Sequence, residues 1–373
     1  MRVKNLKIKA YRGIRDIELD FDVNEPTVLI GINGSGKTSI LNCLSVLLRV
    51  FTERIQSPNN RIEAFDEQDI TRLADISELY SEITLSYAIK DARLDAHALE
   101  DMTTFSCGLS LQDFGLQPNN SLEDLTLISL RVSHQLRTNP KFNIPIIVFY
   151  PVNRALSIDL SHEYLKRRSA KYPQLEAYED ALLIKQTNFS MFSNWFKNRE
   201  DIENEKRISE SLDTRDLQLE AVRNAISKFL PNCNGLRIKR SPLPPRMVIN
   251  KMQQEFNIEQ LSDGEQCLLA LIGDLARRMA IANPGLGNPL DGTGIILIDE
   301  VELHLHPQWQ RMIIPRLTKV FPNCQFIVTT HSPQVISDLK PESLHVLEST
   351  STGISAKHPS VSLGEIAIIF LKS

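Results

Sequence analysis

The sequence predicts an α/β fold, a mixed central sheet with flanking helices, interrupted by a mainly helical insertion. Three observations carry that prediction. An apolar strand, Thr27–Ile30, runs into a glycine-rich loop and then a helical pattern; a second apolar strand from Gly294 ends in two adjacent carboxylates; and from residue 259 strands again alternate with helices. The two ends of the chain therefore build one discontinuous unit, with an N-terminal lobe over 1–90, an insertion over 91–258 and a C-terminal lobe over 259–373.

The elements follow in order. Leu6, Ile8 and Ala10 alternate with Lys7 and Lys9, and Ile17, Leu19 and Phe21 alternate with Glu18, Asp20 and Asp22, the period of half-buried strands joined by a turn at 11–14. The helical pattern after the glycine-rich loop spans 39–51, and 52–74 is polar and irregular. Ile83, Leu85, Tyr87 and Ile89 alternate as a strand, whereas 91–120 has little pattern. The apolar run 144–150 contains Pro145, is too short to cross a bilayer and reads as a buried strand. Residues 161–230 are helical in character, with aromatics such as Phe192, Trp195 and Phe196, and show no sustained heptads, so no long coiled coil is expected. Ser262 with Glu265 forms a capping box, and Leu268, Leu271, Ile272, Leu275 and Met279 then recur at helical spacing, so a helix starts at Asp263. Residues 325–330 form another apolar strand.

Bulk properties narrow the function classes. The 373 residues are 42% apolar and 24% charged, an ordinary soluble composition, and the net charge of -4 gives no global argument for nucleic-acid binding. The five cysteines are widely spaced and form no C-x-x-C pair, so they read as reduced core residues of a cytoplasmic protein. The N-terminus lacks the apolar core of a signal peptide, and no segment suggests a membrane.

Four short segments carry chemistry. Residues 31–38 read G-I-N-G-S-G-K-T, the full phosphate-loop pattern, between a strand and a helix. Backbone N–H groups of Asn33, Gly34, Ser35, Gly36 and the helix start through Ser39 are suited to phosphate oxygens; Lys37 brings a positive charge to them, and Thr38 is an Mg²⁺ ligand. At the end of the 294–298 strand, Asp299 would complete the Mg²⁺ shell and Glu300 would act as general base toward water. Ser262 and Gly264 lie at a helix N-terminus suited to an anion, although such a cap alone is usually structural. His331 ends the last apolar strand.

Together these segments resemble one family. The hairpin L-K-I-K-A-Y-R-G-I, L-S-D-G-E at 261–265, D-E-V-E-L-H-L-H-P at 299–307 and T-T-H-S-P at 329–333 resemble the SMC, RecF and OLD branch of ABC ATPases. More narrowly, D-L-A-R-R at 274–278, P-Q-W-Q at 307–310 and F-P-N-C-Q-F-I-V-T-T-H-S-P at 321–333 are similar to PtuA-type ATPases of Septu and retron anti-phage systems. The match is close at both ends of the chain and loose in the middle.

The resemblance implies an ATP- and Mg²⁺-dependent ATPase that pairs with itself around two nucleotides, with Ser262 and Gly264 reaching the γ-phosphate held by the opposite copy. It implies that His331 is the switch histidine, that 301–307 is the loop crossing the dimer seam, and that Gln68 or Asp69 stands near Mg²⁺ and the attacking water. Arg12 is placed near the nucleotide, and Arg154 after the 144–150 strand near the phosphates or the dimer seam. Partners implied are a separately encoded HNH nuclease and a retron reverse transcriptase with its RNA and DNA. The chain itself shows no nuclease constellation, and the residues after His331 are too few for a Toprim domain. The apolar run 366–371 is a candidate docking segment or last strand. Glu302, His304 and His306 lack a fourth ligand and do not read as a metal site. Arg237, Lys239, Arg240 and Arg246 are either a local nucleic-acid or partner patch or, the favoured reading, a solvated strand edge. Two other readings stand beside this one: a RecF-like repair clamp, which wants a basic groove, and a transporter nucleotide-binding subunit, which wants L-S-G-G-Q and a shorter insert.

Overall fold

The computed structural model describes residues 1–56, 65–71, 79–88, 102–112, 115–118, 122–153, 172–184, 189–350 and 353–358. The chain opens with the expected hairpin, β1 (Arg2–Tyr11) and β2 (Ile14–Asp20), whose register sets Ile8 opposite Ile17 and Leu6 opposite Leu19, so the apolar members share one face. Strand β3 (Thr27–Ile30) leads through the glycine-rich loop into α1 (Lys37–Gln56). Strands β4 (Leu79–Ala88), β5 (Met102–Gln112) and β6 (Gly115–Pro118) complete an antiparallel sheet of order β2-β1-β4-β5-β6. Ile83, Leu85 and Tyr87 are buried as their alternation predicts; Ile89 lies outside the described residues.

β5 and β6 fall where the sequence shows little pattern. Phe105, Cys107 and Leu109 do alternate inward, but Ser106 and Gly108 between them are too small to mark the opposite face as polar.

The remaining elements are α2 (Leu122–Thr138), β7 (Ile146–Tyr150), α3 (Phe189–Ser209), α4 (Leu217–Phe229), β8 (Cys233–Lys239), β9 (Arg246–Lys251), β10 (Gln254–Asn257), α5 (Asp263–Ala282), β11 (Gly294–Ile298), α6 (Pro307–Val320), β12 (Cys324–Thr330), α7 (Pro333–Ile336), β13 (Leu344–Thr350) and β14 (Gly353–Lys357). The expected insertion does contain α2, α3 and α4, yet its strands are shared out among three sheets. β5 and β6 extend the N-terminal sheet, β7 edges the central one, and β8 to β10 form a third. Strand pairing binds this segment into both lobes. Arg154 and 366–371 lie outside the described residues.

The central sheet has the order β14-β13-β3-β12-β11-β7 and is parallel except for β14. Its inner strands β3, β12 and β11 are buried throughout, as parallel strands covered on both faces must be. Register aligns Ile30 with Thr330 and Ile298 with both Val328 and Tyr150, so the carboxyl ends of β3, β12, β11 and β7 open onto one edge. That edge is where ligands bind in open α/β sheets.

Two buried polar links tie the central sheet to its neighbours, one at the amino end of β12 and one at the carboxyl end of β7. Gln325 on β12 accepts from the Val3 N–H at 2.7 Å and donates to the Val3 carbonyl at 2.9 Å, locking the N-terminal sheet to the central one. On α5, the Asp274 carboxylate takes bonds from Arg277 (2.8 Å), Arg278 (2.7 Å) and the Tyr150 hydroxyl (2.9 Å). Burial opposes ionisation of Asp274, but Arg278 and Arg277 outweigh it and hold the carboxyl well below the usual range. The Tyr150 carbonyl in turn accepts the Asp299 N–H at 2.9 Å, so α5 is tied through β7 to the end of β11.

All five cysteines are free and buried. Among the described residues no helix is long and apolar enough to cross a membrane. Arg237 and Lys239 pair with Glu255, and Arg240 with Glu200 and Asp201, so three of the four basic residues on the β8–β9 edge have carboxylate partners.

Candidate active site

The glycine-rich loop is shaped by what lies beneath it. Gly36 has φ +91°, a conformation that favours glycine, and the Ile354 side chain of β14 packs close beneath it, where a Cβ would stand 2.6 Å from its terminal methyl. α1 then begins at Lys37, whose Nζ turns back to donate to the Gly31 (2.8 Å) and Ile32 (3.0 Å) carbonyls. Burial pushes the Lys37 ammonium down to about 8, against the pull of Asp299, Glu300 and Glu302. A buried cation bonded to neutral carbonyls is an anion site in waiting.

The carboxyl end of β11 meets that loop. Thr38 Oγ1 donates to Asp299 Oδ2 at 2.9 Å, and Thr329 Oγ1 donates to Asp299 Oδ1 at 2.6 Å while accepting the Glu300 N–H at 2.7 Å. Asp299 is 1% exposed. Glu300 has φ +46°, a left-handed conformation that costs a non-glycine residue about 1 kcal/mol and persists only where neighbours enforce it.

These residues enclose a cavity of about 190 Å³. Asn33, Gly34, Gly36, Lys37, Thr38 and Ser39 line one wall, Asp299 and Glu300 a second, and His331 and Arg12 the remainder. Burial lowers the His331 imidazole below its ordinary value, Lys37 adds to the fall, and Glu302, Glu300 and Asp299 oppose it. A hydroxyl beside a buried carboxylate is an oxygen donor set that fits a hard cation such as Mg²⁺.

Other expected site residues stand elsewhere. Ser35 is buried beneath the loop, outside the cavity wall. Gln68 is exposed and does not line the cavity. Its neighbour Asp69 is buried and accepts a bond from Arg12 Nε at 2.6 Å. Ser262 caps α5 as its sequence predicts, its N–H bonded to Glu265 Oε2 at 3.0 Å, and is exposed away from the cavity of its own chain. Gly264 is buried two residues further on, where a Cβ would meet the His304 carbonyl at 2.6 Å.

A protein-family model described as "AAA domain, putative AbiEii toxin, Type IV TA system" matches residues 27–337, from β3 through α7. The chain belongs to this family. The chain is 28% identical to the retron Vc95 probable ATPase of Vibrio cholerae serotype O1 biovar El Tor, covering 93% of this chain and 73% of that protein. It is 28% identical to the retron Ec83 probable ATPase of Escherichia coli, covering 93% and 72%, and 27% identical to the Septu protein PtuA of Bacillus thuringiensis, covering 90% and 72%. Among solved structures, an Smc head bound to the C-winged helix domain of ScpA aligns with TM-score 0.55 at 14% identity over 98% of this chain and all of that one. A Pyrococcus furiosus Smc head with an extended coiled coil aligns with TM-score 0.52 at 15% identity over 100% and 99%. This AAA-domain protein thus has an ABC-type head fold like that of the Smc head structures.

Two residues of the site escaped the sequence reading. Thr329 joins Asp299 to Glu300, and Glu302 accepts the His331 N–H. The repeated threonine before His331 is the only trace of the former; the latter carries no local signal.

Proposed function

We propose that this protein hydrolyses ATP at a site completed by a second copy of itself, and that its nucleotide state governs a separately encoded nuclease in anti-phage defence. One observation carries the hydrolytic part: Lys37, the Thr38–Asp299 pair, Glu300 and His331 converge on a single cavity. Mg²⁺ held by Thr38 and Asp299 would neutralise phosphate charge. Lys37 and the loop N–H groups bind the phosphates, Glu300 accepts the proton of the attacking water, and His331 orients it. Arg12, held by Asp69, adds a second cation at the mouth.

The need for a second copy is supported by size and by the place of Ser262. At about 190 Å³ the cavity is smaller than the roughly 300–1,000 Å³ of an enclosed small-molecule site. Ser262 is exposed at the N-terminus of α5 and does not line this cavity, a place from which it could meet a nucleotide on an opposing head. The defence reading is supported by the retron and Septu relatives, whose systems suggest an HNH nuclease and a reverse transcriptase with its nucleic acid as partners. A RecF-like clamp is less well supported, because the basic β8–β9 edge is largely neutralised.

The test combines turnover with capture. Wild type is expected to hydrolyse ATP only with Mg²⁺, and Glu300→Gln to bind ATP but turn it over at least about a hundredfold more slowly. Tagged Glu300→Gln purified with ATP from its native operon is expected to bring down a nuclease. Normal turnover by the variant sinks the role of Glu300, and recovery of DNA with repair factors alone sinks the defence reading.

A further inference from the structure

The loop from Glu300 to His306 is stitched to the end of β12 at three points. Glu300 N–H reaches Thr329 Oγ1 at 2.7 Å, Val301 N–H reaches the Thr329 carbonyl at 3.0 Å, and the Glu302 carboxylate accepts the His331 N–H. The first two act on the backbone that carries Glu300. The third acts on the residue that carries the imidazole, one step after the strand ladder has ended.

Glu302 is not needed to shape its own loop. Leu303 N–H closes on the Glu300 carbonyl at 3.0 Å and Leu305 N–H on the Glu302 carbonyl at 2.9 Å, so main-chain bonds already make the turns. The carboxylate is costly where it stands: its Oε2 is buried and has no hydrogen-bond partner among the described residues, so its desolvation is not repaid. A costly acid whose one bond fixes the backbone of a residue in the cavity wall points to function.

We propose that Glu302 is a positioning residue for hydrolysis, clamping the His331 backbone so that its imidazole and the Glu300 carboxylate keep one fixed separation across the cavity. The same loop presses the His304 carbonyl against Gly264, so the clamp also sets His331 relative to the start of α5. Glu302 does not touch the reacting atoms; it acts through His331. An error of about 1 Å in such a group costs on the order of a hundredfold in rate.

This inference rests on the hydrolytic reading above, and the experiment separates the two. Steady-state turnover, KM and equilibrium ATP binding are measured for wild type, Glu302→Gln, Glu302→Leu, His331→Ala and the Glu302→Leu/His331→Ala double variant, with a thermal melt of each. Glu302→Gln keeps an oxygen for the His331 N–H and is expected to retain most of kcat. Glu302→Leu is expected to lose about ten- to a hundredfold in kcat with ATP affinity within about threefold of wild type, since Lys37 and the phosphate loop are untouched. The double variant should be no slower than His331→Ala alone, because both changes remove one function. Wild-type kcat in Glu302→Leu, full additivity in the double variant, or a loss in Glu302→Gln equal to that in Glu302→Leu overturns the proposal. A wild-type protein that does not hydrolyse ATP overturns the hydrolytic reading and this inference with it.

Discussion

An alanine methyl at position 264 would press on the His304 carbonyl at 2.6 Å, a main-chain atom that cannot rotate away. Gly264→Ala is therefore expected to destabilise the protein by about 1–3 kcal/mol in denaturant unfolding, even though the residue lies outside the nucleotide cavity. Unchanged stability would mean that the start of α5 and the 300–306 loop are not in contact. The same residue illustrates what a sequence conveys at this scale. Lys37, Thr38, Asp299, Glu300 and His331 are legible because phosphate and metal chemistry demands those side chains at strand ends and loop spacings. The packing reason for Gly264 and the clamp of Glu302 on His331 depend on partners 40 and 29 positions away along the chain, and no local pattern announces them. Gln68 and Asp69 stand as alternatives in the sequence for a related reason: no local pattern says which of two adjacent polar residues turns inward, and in the structure Asp69 is the buried one, bonded to Arg12.

At the scale of elements, α5 shows both limits. Its start at Asp263 and apolar stripe are written in the capping box and the helical period, and the structure keeps both. Its buried ion network is not, because Asp274, Arg277 and Arg278 on an apolar helix make sense only once Tyr150 of β7 is beside them. Asp274→Asn leaves two buried guanidinium groups short of their counter-charge and is expected to cost about 3–5 kcal/mol in equilibrium unfolding at neutral pH. A cost under about 1 kcal/mol would show that the network is not what holds α5 to β7. Strand β13 offers a pH test. Burial, with His358 adding to it and Asp20 opposing, lowers the His345 imidazole to about 4, and the His345 and His358 rings lie 4.3 Å apart. The fold favours neutral His345, so its contribution is complete above the unfolded value of about 6.5 and is lost as pH falls toward 4. Between pH 7 and pH 5 wild type should lose about 2 kcal/mol more stability than His345→Phe. Parallel pH curves for the two proteins would contradict this.

At the scale of the whole molecule, the sequence conveyed a discontinuous α/β unit because apolar strands that end in chemistry are conspicuous. It did not convey how the middle of the chain is built, since β5, β7 and β8 each join a different sheet and pairing between distant strands leaves no periodic mark. What the assembled head leaves open is its own site: a small cavity on one side and, outside its lining, the exposed Ser262 at the start of α5. The measurement that tests this most directly is the solution mass of Glu300→Gln by light scattering or sedimentation, with and without ATP and Mg²⁺. The account predicts that ATP raises the mass by at least a factor of two, and that adding Ser262→Arg abolishes the increase while ATP binding to the single head survives. A Glu300→Gln protein that binds ATP at saturation and keeps its mass unchanged would contradict a site shared between two heads.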